Sequence, residues 1–182
     1  ISRICGLNPS AVICEIMMDD GRMARLPDLR KWADRFGMPL GTIQDLITWR
    51  LDHQTLVLQD GRHVQQNDWT EIAFSGPVNE PHRMAIHGGE PEGARRIWIG
   101  PAGLSRMLRD TMPRGSVMIE MTSGPAIDET GEIQQAGYVM AAQMLRQAGI
   151  GAVGLSSRDE WAVALSRLGI GVEFQPHNDI ID

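Results

Sequence analysis

Residues 150–174 read IGAVGLSSRDEWAVALSRLGIGVEF, and this stretch decides the fold class. The apolar runs at 152–155 and 172–174 are too short for helices and are bounded by glycine, which is typical of buried strands. Between them, residues 159–168 carry apolar side chains at helical spacing. The stretch therefore predicts a strand, a helix and a second strand.

The same alternation extends towards the N-terminus. An apolar run at 117–121 predicts a strand, and residues 133–147 predict a helix after a long loop. Strands that alternate with helices are typical of a parallel sheet with right-handed crossovers. We expect an α/β fold, in which an α+β first part is followed by a mixed sheet ending in a parallel βαβαβ unit.

The middle of the chain favours strands over helices. Asp60-Gly61 is a hairpin signal, and it separates short runs at 55–58 and 62–65. Further segments are predicted from their β-rich composition and the turns between them, namely strands at 71–75, 83–87 and 95–99 and a short helix within 102–110.

The first fifty residues predict a strand at 11–17 and two helices. Pro27 suits the first turn of a helix, and Gly37 suits its end. Thr42 with Asp45 three positions later resembles a capping box at the start of a second helix. The composition changes near residue 54, so we expect one domain at 1–54 and another at 55–182.

Charge and hydropathy exclude several classes of function. The formal net charge is −6, with no strongly basic stretch that would bind nucleic acid. No apolar run approaches the ~20 residues that span a bilayer. The two cysteines, Cys5 and Cys14, are too far apart for a zinc knuckle. We expect a cytoplasmic protein, and the opening at Ile1 suggests a fragment, a processed product or a trimmed terminus.

Glu15 is the candidate functional residue in the predicted strand at 11–17. A carboxylate in a buried strand is costly unless a partner or a ligand compensates it. Two interpretations remain open, a structural ion pair with a neighbouring arginine or a place in an active site. Cys14 would point to the opposite face and is expected to be core.

Residues 8–29, NPSAVICEIMMDDGRMARLPDL, closely resemble the C-terminal signature of 3,4-dihydroxy-2-butanone 4-phosphate synthases. Ala11 stands where that signature has glycine. The resemblance continues through Phe36-Gly37 and through residues 43–50, so it covers about the first fifty residues.

The resemblance implies a lyase of riboflavin biosynthesis that converts ribulose 5-phosphate into 3,4-dihydroxy-2-butanone 4-phosphate and formate. It implies Mg²⁺ (or Mn²⁺) as cofactor, a homodimer, and Glu15 as a catalytic residue that binds the sugar hydroxyls. The family's metal-binding glutamate and its Arg-x-Gly-His-Thr-Glu segment do not occur in these residues. The chain alone is therefore expected to be inactive.

Residues 81–89 and 138–150 are similar to parts of GTP cyclohydrolase II, the domain that follows the synthase in bifunctional members of the family. That enzyme holds zinc with three cysteines, but no cysteine follows Cys14. Its Asp-x-Arg-x-Tyr motif keeps only Tyr138, and Trp161 stands where it has lysine. We expect no zinc and no cyclohydrolase activity. The alternative function is a non-catalytic nucleotide-binding, regulatory or structural module.

Three weaker expectations concern other residues of the second part. The Ser156-Ser157 loop could hold a phosphate at a helix N-terminus, although an ordinary N-cap is favoured. His82 and His87 lie near turns and are expected at the surface or hydrogen-bonded. Met140 and Met144 share a helix face and are expected in the core.

Overall fold

The computed structural model describes residues 1–77, 79–88, 94–122, 126, 133–155 and 160–174, with the side chains of Arg62 and Glu160 excluded. The chain divides into two compact units, Ile1–Thr48 and Trp49–Asp182, which are called the first and the second unit below. The domain boundary after residue 54 stays a prediction.

The helices of the first part form where local signals favour them. Helix α1 spans Leu26–Phe36, and α2 spans Ile43–His53. Gly37 follows α1 with a φ of 60°, a left-handed conformation that glycine adopts without strain. At the start of α2, Asp45 N donates to Thr42 Oγ1 (3.0 Å), and Thr42 N donates to Asp45 Oδ2 (3.1 Å). Both predicted helices and the capping box are confirmed.

The strand predicted at 11–17 is wrong. Residues 11–16 have no regular secondary structure, and Met17 forms only an isolated bridge with Met23. Val12 and Ile13 are 98% and 92% exposed. A strand needs a neighbour to satisfy its backbone groups, and here residues 22–24 pair only with residues 16–18, at the end of the predicted strand. Cys14 is exposed as well, so its predicted core position is also wrong.

None of residues 1–48 is buried, and many apolar side chains of the first unit are exposed, although some, such as Met23 and Leu29, are partly covered. Helix α1 is strongly amphipathic, yet it buries no residue. Clusters of exposed apolar side chains on a protein surface often mark an interface. The large exposed apolar side chains of the unit include Leu7, Val12, Ile13, Met17, Phe36, Met38 and Ile43.

The second unit is built on a seven-stranded sheet among the described residues, in the order β1-β2-β3-β5-β4-β6-β7. Neighbours from β1 to β5 are antiparallel, and those from β5 to β7 are parallel. The α/β class is confirmed. The elements are β1 Leu58–Gln66, β2 Trp69–Ser75, β3 Pro81–His87, β4 Arg95–Pro101, α3 Leu104–Leu108, β5 Val117–Met121, α4 Gln135–Gln147, β6 Ala152–Leu155, α5 Glu160–Arg167 and β7 Gly171–Phe174.

The hairpin predicted at Asp60-Gly61 is wrong, because β1 runs through these residues as one strand. The register against β2 shifts between Gln59 and His63, which marks a β-bulge. Gly61 has a φ of 70°, and Asp60 Oδ1 accepts a hydrogen bond from Ser75 Oγ (2.5 Å). Here glycine therefore permits a bulge, and the strand reverses later, at Asn67 and Asp68.

The two faces of the sheet bury different clusters. Alternate residues of β5 point to opposite faces, and Val117, Ile119 and Met121 join the larger core beside α4 and α5. Met118 belongs to the smaller cluster on the other face, with Trp69 and Met112. The predicted core positions are confirmed for Met140 and Met144, and Trp161 and Leu165 also pack in the larger core.

Candidate functional site

Glu15 lies in an exposed, irregular segment of the first unit. Its carboxylate makes no hydrogen bond or ion pair within the described part of the chain. Neither the buried position nor the arginine partner considered from the sequence is therefore present. The Glu15 carboxylate is therefore accessible to a ligand or to another polypeptide segment.

The motif that follows Glu15 is held together by a small ionic network. Arg22 donates from Nε to Asp20 Oδ2 (3.0 Å) and from Nη1 to Asp28 Oδ2 (2.9 Å). Arg25 N donates to Asp28 Oδ2 at 3.2 Å. Gly21 turns the chain between these residues with a φ of 84°. The network fixes the turn onto the start of α1.

Asp28 accepts two hydrogen bonds in this network. The hydrogen bond from Arg22 holds the pKa of Asp28 below its usual value, and the bond from the Arg25 amide adds to this. Sequence reasoning missed this role of Asp28, although an acidic residue in the first turn of a helix is a recognised stabilising signal. Asp28 therefore supports the structure of the motif.

In the second unit, the carboxyl end of β4 is occupied by the protein itself. Ligands of parallel α/β sheets bind at this end of the strands. Here Glu120, a buried carboxylate of β5, accepts a hydrogen bond from Ser105 N at 2.5 Å. A Cβ placed on Gly100 would lie 2.9 Å from Leu104 Cδ2, so Leu104 is packed directly against the strand.

A charged cluster lies next to this turn, on the face of the sheet that carries Trp69. Glu71 binds Arg109 through Oε1, and its Oε2 lies 3.9 Å from Arg83 Nε. The Arg109 guanidinium sits 5.4 Å from the Trp69 ring centre. The His87 ring also stacks on the Trp69 ring, with 4.4 Å between the two ring centres. Glu71 thus pairs with two arginines, and the rings of Trp69 and His87 pack beside them.

His87 is hydrogen-bonded, as the sequence predicted. Its Nδ1 lies 3.1 Å from the carbonyl oxygens of both Met112 and Pro113. Since these contacts link β3 to the turn before β5, the histidine stabilises that turn.

His82 differs from His87, and the surface or hydrogen-bonded position predicted for it is wrong. It is 2% exposed, and neither ring nitrogen has a hydrogen-bond partner among the described residues. Burial lowers the pKa of His82, because the charged imidazolium loses its hydration. Its Nε2 lies 2.5 Å from where a Cβ on Gly76 would be, so the ring fits beneath a turn that only glycine allows.

Tyr138 and Trp161, the two positions that were compared with the cyclohydrolase motifs, lie next to each other at the larger core. The rings of Tyr138 and Trp161 are 5.6 Å apart, and both pack with the larger hydrophobic cluster. Trp161 is buried. Their observed role is therefore packing between α4 and α5.

Within the described residues, no three histidine, cysteine, aspartate or glutamate side chains are gathered as a metal site. The Ser156-Ser157 loop lies outside the described residues. None of the described helices is both long and apolar enough to cross a membrane.

The first part of the chain matches a known protein family. Residues 1–49 match the 3,4-dihydroxy-2-butanone 4-phosphate synthase family. The segment with Glu15, the ionic network and α1 lies within this match. The chain is also similar to riboflavin biosynthesis proteins named RibBA. It is 36% identical to that of Bacillus cereus over 93 residues and 53% identical to that of Phocaeicola vulgatus over 57 residues.

These matches cover part of each relative. The alignment spans 50% of this chain and 23% of the Bacillus cereus protein, and 31% of this chain and 14% of the Phocaeicola vulgatus protein. A solved structure is similar over 94% of this chain and 55% of its own, with 30% identity and a TM-score of 0.60. It is RibBX from A. baumannii, a two-domain 3,4-dihydroxy-2-butanone 4-phosphate synthase. These comparisons connect the chain with riboflavin biosynthesis.

Proposed function

We propose that residues 1–49 act as the last part of a 3,4-dihydroxy-2-butanone 4-phosphate synthase, a lyase that releases formate from ribulose 5-phosphate. The family match of this segment is the observation that carries the proposal. The chain spans about a quarter of the RibBA relative and about half of RibBX, so other parts of the synthase fold would complete the site.

The surface of the first unit supports the same proposal. None of its residues is buried, and the strongly exposed Val12 and Ile13 lie just before Glu15. Packing the rest of a synthase domain onto them would bury this surface and give the segment a neighbouring strand. The free Glu15 carboxylate would then enter a pocket.

Glu15 would act there on the hydroxyl groups of the sugar. A carboxylate can accept a proton from a hydroxyl or a carbon next to a carbonyl and return it later. The described residues do not gather a Mg²⁺ site on their own, so we derive no step through the metal. Formate release by the full-length protein from ribulose 5-phosphate, in a buffer with Mg²⁺, tests the proposal.

For the second unit we propose a GTP cyclohydrolase II-like domain without its chemistry. Two observations support this, since Leu104 and Ser105 fill the carboxyl end of β4 and Tyr138 packs against Trp161. A non-catalytic nucleotide-binding, regulatory or structural role remains the second candidate. A homodimer and a cytoplasmic location belong to the same proposal by family resemblance.

Zinc content and GTP binding distinguish these roles. We expect less than about 0.1 zinc per chain after purification with zinc present, because the three-cysteine site of the enzyme has no counterpart. We also expect no opening of the guanine ring of GTP, measured by formate release and by the loss of the guanine absorbance. Stoichiometric zinc with GTP turnover would contradict the proposal, and calorimetric GTP binding without turnover would select the nucleotide-binding role.

A further inference from the structure

Within the second unit, the chain continues after α2 as an extended segment, residues 54–57, which belongs to no helix or strand. Val57 is fully buried within the larger core. Buried backbone groups outside a helix or sheet need other hydrogen-bond partners. The structure supplies them from two glutamines of α4.

Gln143 and Gln147 lie four positions apart, so they share one face of the helix. Gln143 donates from Nε2 to Gln54 O (2.8 Å) and accepts at Oε1 from Leu56 N (2.7 Å) and Val57 N (3.4 Å).

Gln147 repeats the pattern further along the segment. It donates from Nε2 to Val57 O (2.9 Å) and accepts from Gln59 N (3.1 Å). The side-chain amide of each glutamine thus binds a backbone carbonyl of the segment and the backbone N–H two residues later. The pair acts as a clamp that recognises extended backbone and no particular side chain.

Further contacts secure both sides of the clamp. Leu51, at the end of α2, is buried in the larger core. Asp52 accepts a hydrogen bond from Arg167 of α5 at 2.9 Å. The segment is therefore fixed at several points between residues 51 and 59, by two buried apolar side chains, one ion pair to α5 and the backbone clamp of α4.

We propose that the second unit has an anchoring function, in which α4 and α5 are a receptor for the segment that follows the synthase-like residues. The ligand of this surface is the chain's own extended backbone. The inference rests on the proposed function only for the synthase role of residues 1–49. The anchoring itself is tested without an enzyme assay, so the two can fail separately.

The test is amide hydrogen exchange in the full-length protein carrying Gln143→Ala and Gln147→Ala. We expect the amides of Leu56 and Gln59 to exchange about tenfold faster or more, while Ile119 in β5 keeps its protection. Gln135→Ala is the matched control, since Gln135 is an exposed glutamine of the same helix, and it should change none of these rates.

Gln147→Ala alone keeps the test valid if the double variant does not fold, because Gln147 is exposed and Gln143 remains in the core. It should accelerate exchange at Gln59 more than at Leu56. Unchanged rates at both amides would overturn the proposal. So would an equal increase at every amide of the second unit, which would mean that the glutamines only stabilise the fold as a whole.

Discussion

His82 is buried with both ring nitrogens unpaired among the described residues, and beside it Glu80 Oε2 is buried and unpaired too. A buried polar group without a partner costs about 1–3 kcal/mol. His82 lies against Gly76, so this cost falls at the turn that precedes β3.

The pH dependence of stability should report on His82. Its pKa is lowered on folding, so the unfolded chain binds more protons below about pH 6.5, and the free energy of unfolding falls as pH decreases. The slope from this group is at most about 1.4 kcal/mol per pH unit.

His82→Leu should remove that contribution and flatten the curve measured by urea unfolding between pH 7 and pH 5. His63→Leu, at an exposed position of β1, is the control and should keep the slope of the parent protein. An identical slope in the His82 variant would show that the buried ring does not titrate on unfolding.

The position of a single side chain can be predicted from sequence where it depends on residues nearby in the chain. Met140 and Met144 were assigned to the core from their spacing, and His87 was assigned a hydrogen bond. His82 and Cys14 were misjudged, because their burial depends on which distant segments cover them. Glu15 as a catalytic residue stays a prediction, since its pocket needs residues from elsewhere.

At the scale of elements, local signals set the helices. The end of α1 at Gly37 and the start of α2 after Thr42 follow from glycine conformation and capping. The strand at 11–17 failed although its composition is typical of a strand, because a strand exists only with a partner. Asp60-Gly61 failed for a related reason, since the pairing with β2 decides between a hairpin and a bulge.

Thr42→Ala tests the capping of α2. Loss of the hydroxyl leaves Asp45 N without its partner and should cost the helix about 1 kcal/mol. We expect the amides of Asp45 and Leu46 to exchange about fivefold faster. Thr48→Ala is the control, because Thr48 bonds only the carbonyl of Gln44 within the helix. Equal effects of the two substitutions would contradict a capping role for Thr42.

At the scale of the whole molecule, the sequence predicted a mixed sheet with a parallel end but not the order of its strands. The insertion of β5 between β3 and β4, and the clamp of Gln143 on Leu56, join residues far apart in sequence. Such pairings depend on the whole set of packed faces. The two units also differ in burial, since none of residues 1–48 is buried while the second unit has an extensive core.

The kinetics of formate release by the full-length protein, compared between Glu15→Gln and Asp19→Asn, test the central claim most directly. Both carboxylates are exposed in the same segment, so the pair separates a catalytic role from a general effect of charge. The account predicts that Glu15→Gln lowers kcat/KM for ribulose 5-phosphate by about 100-fold or more, with Asp19→Asn close to the parent. Full activity of Glu15→Gln, or no formate from the parent protein, would contradict it.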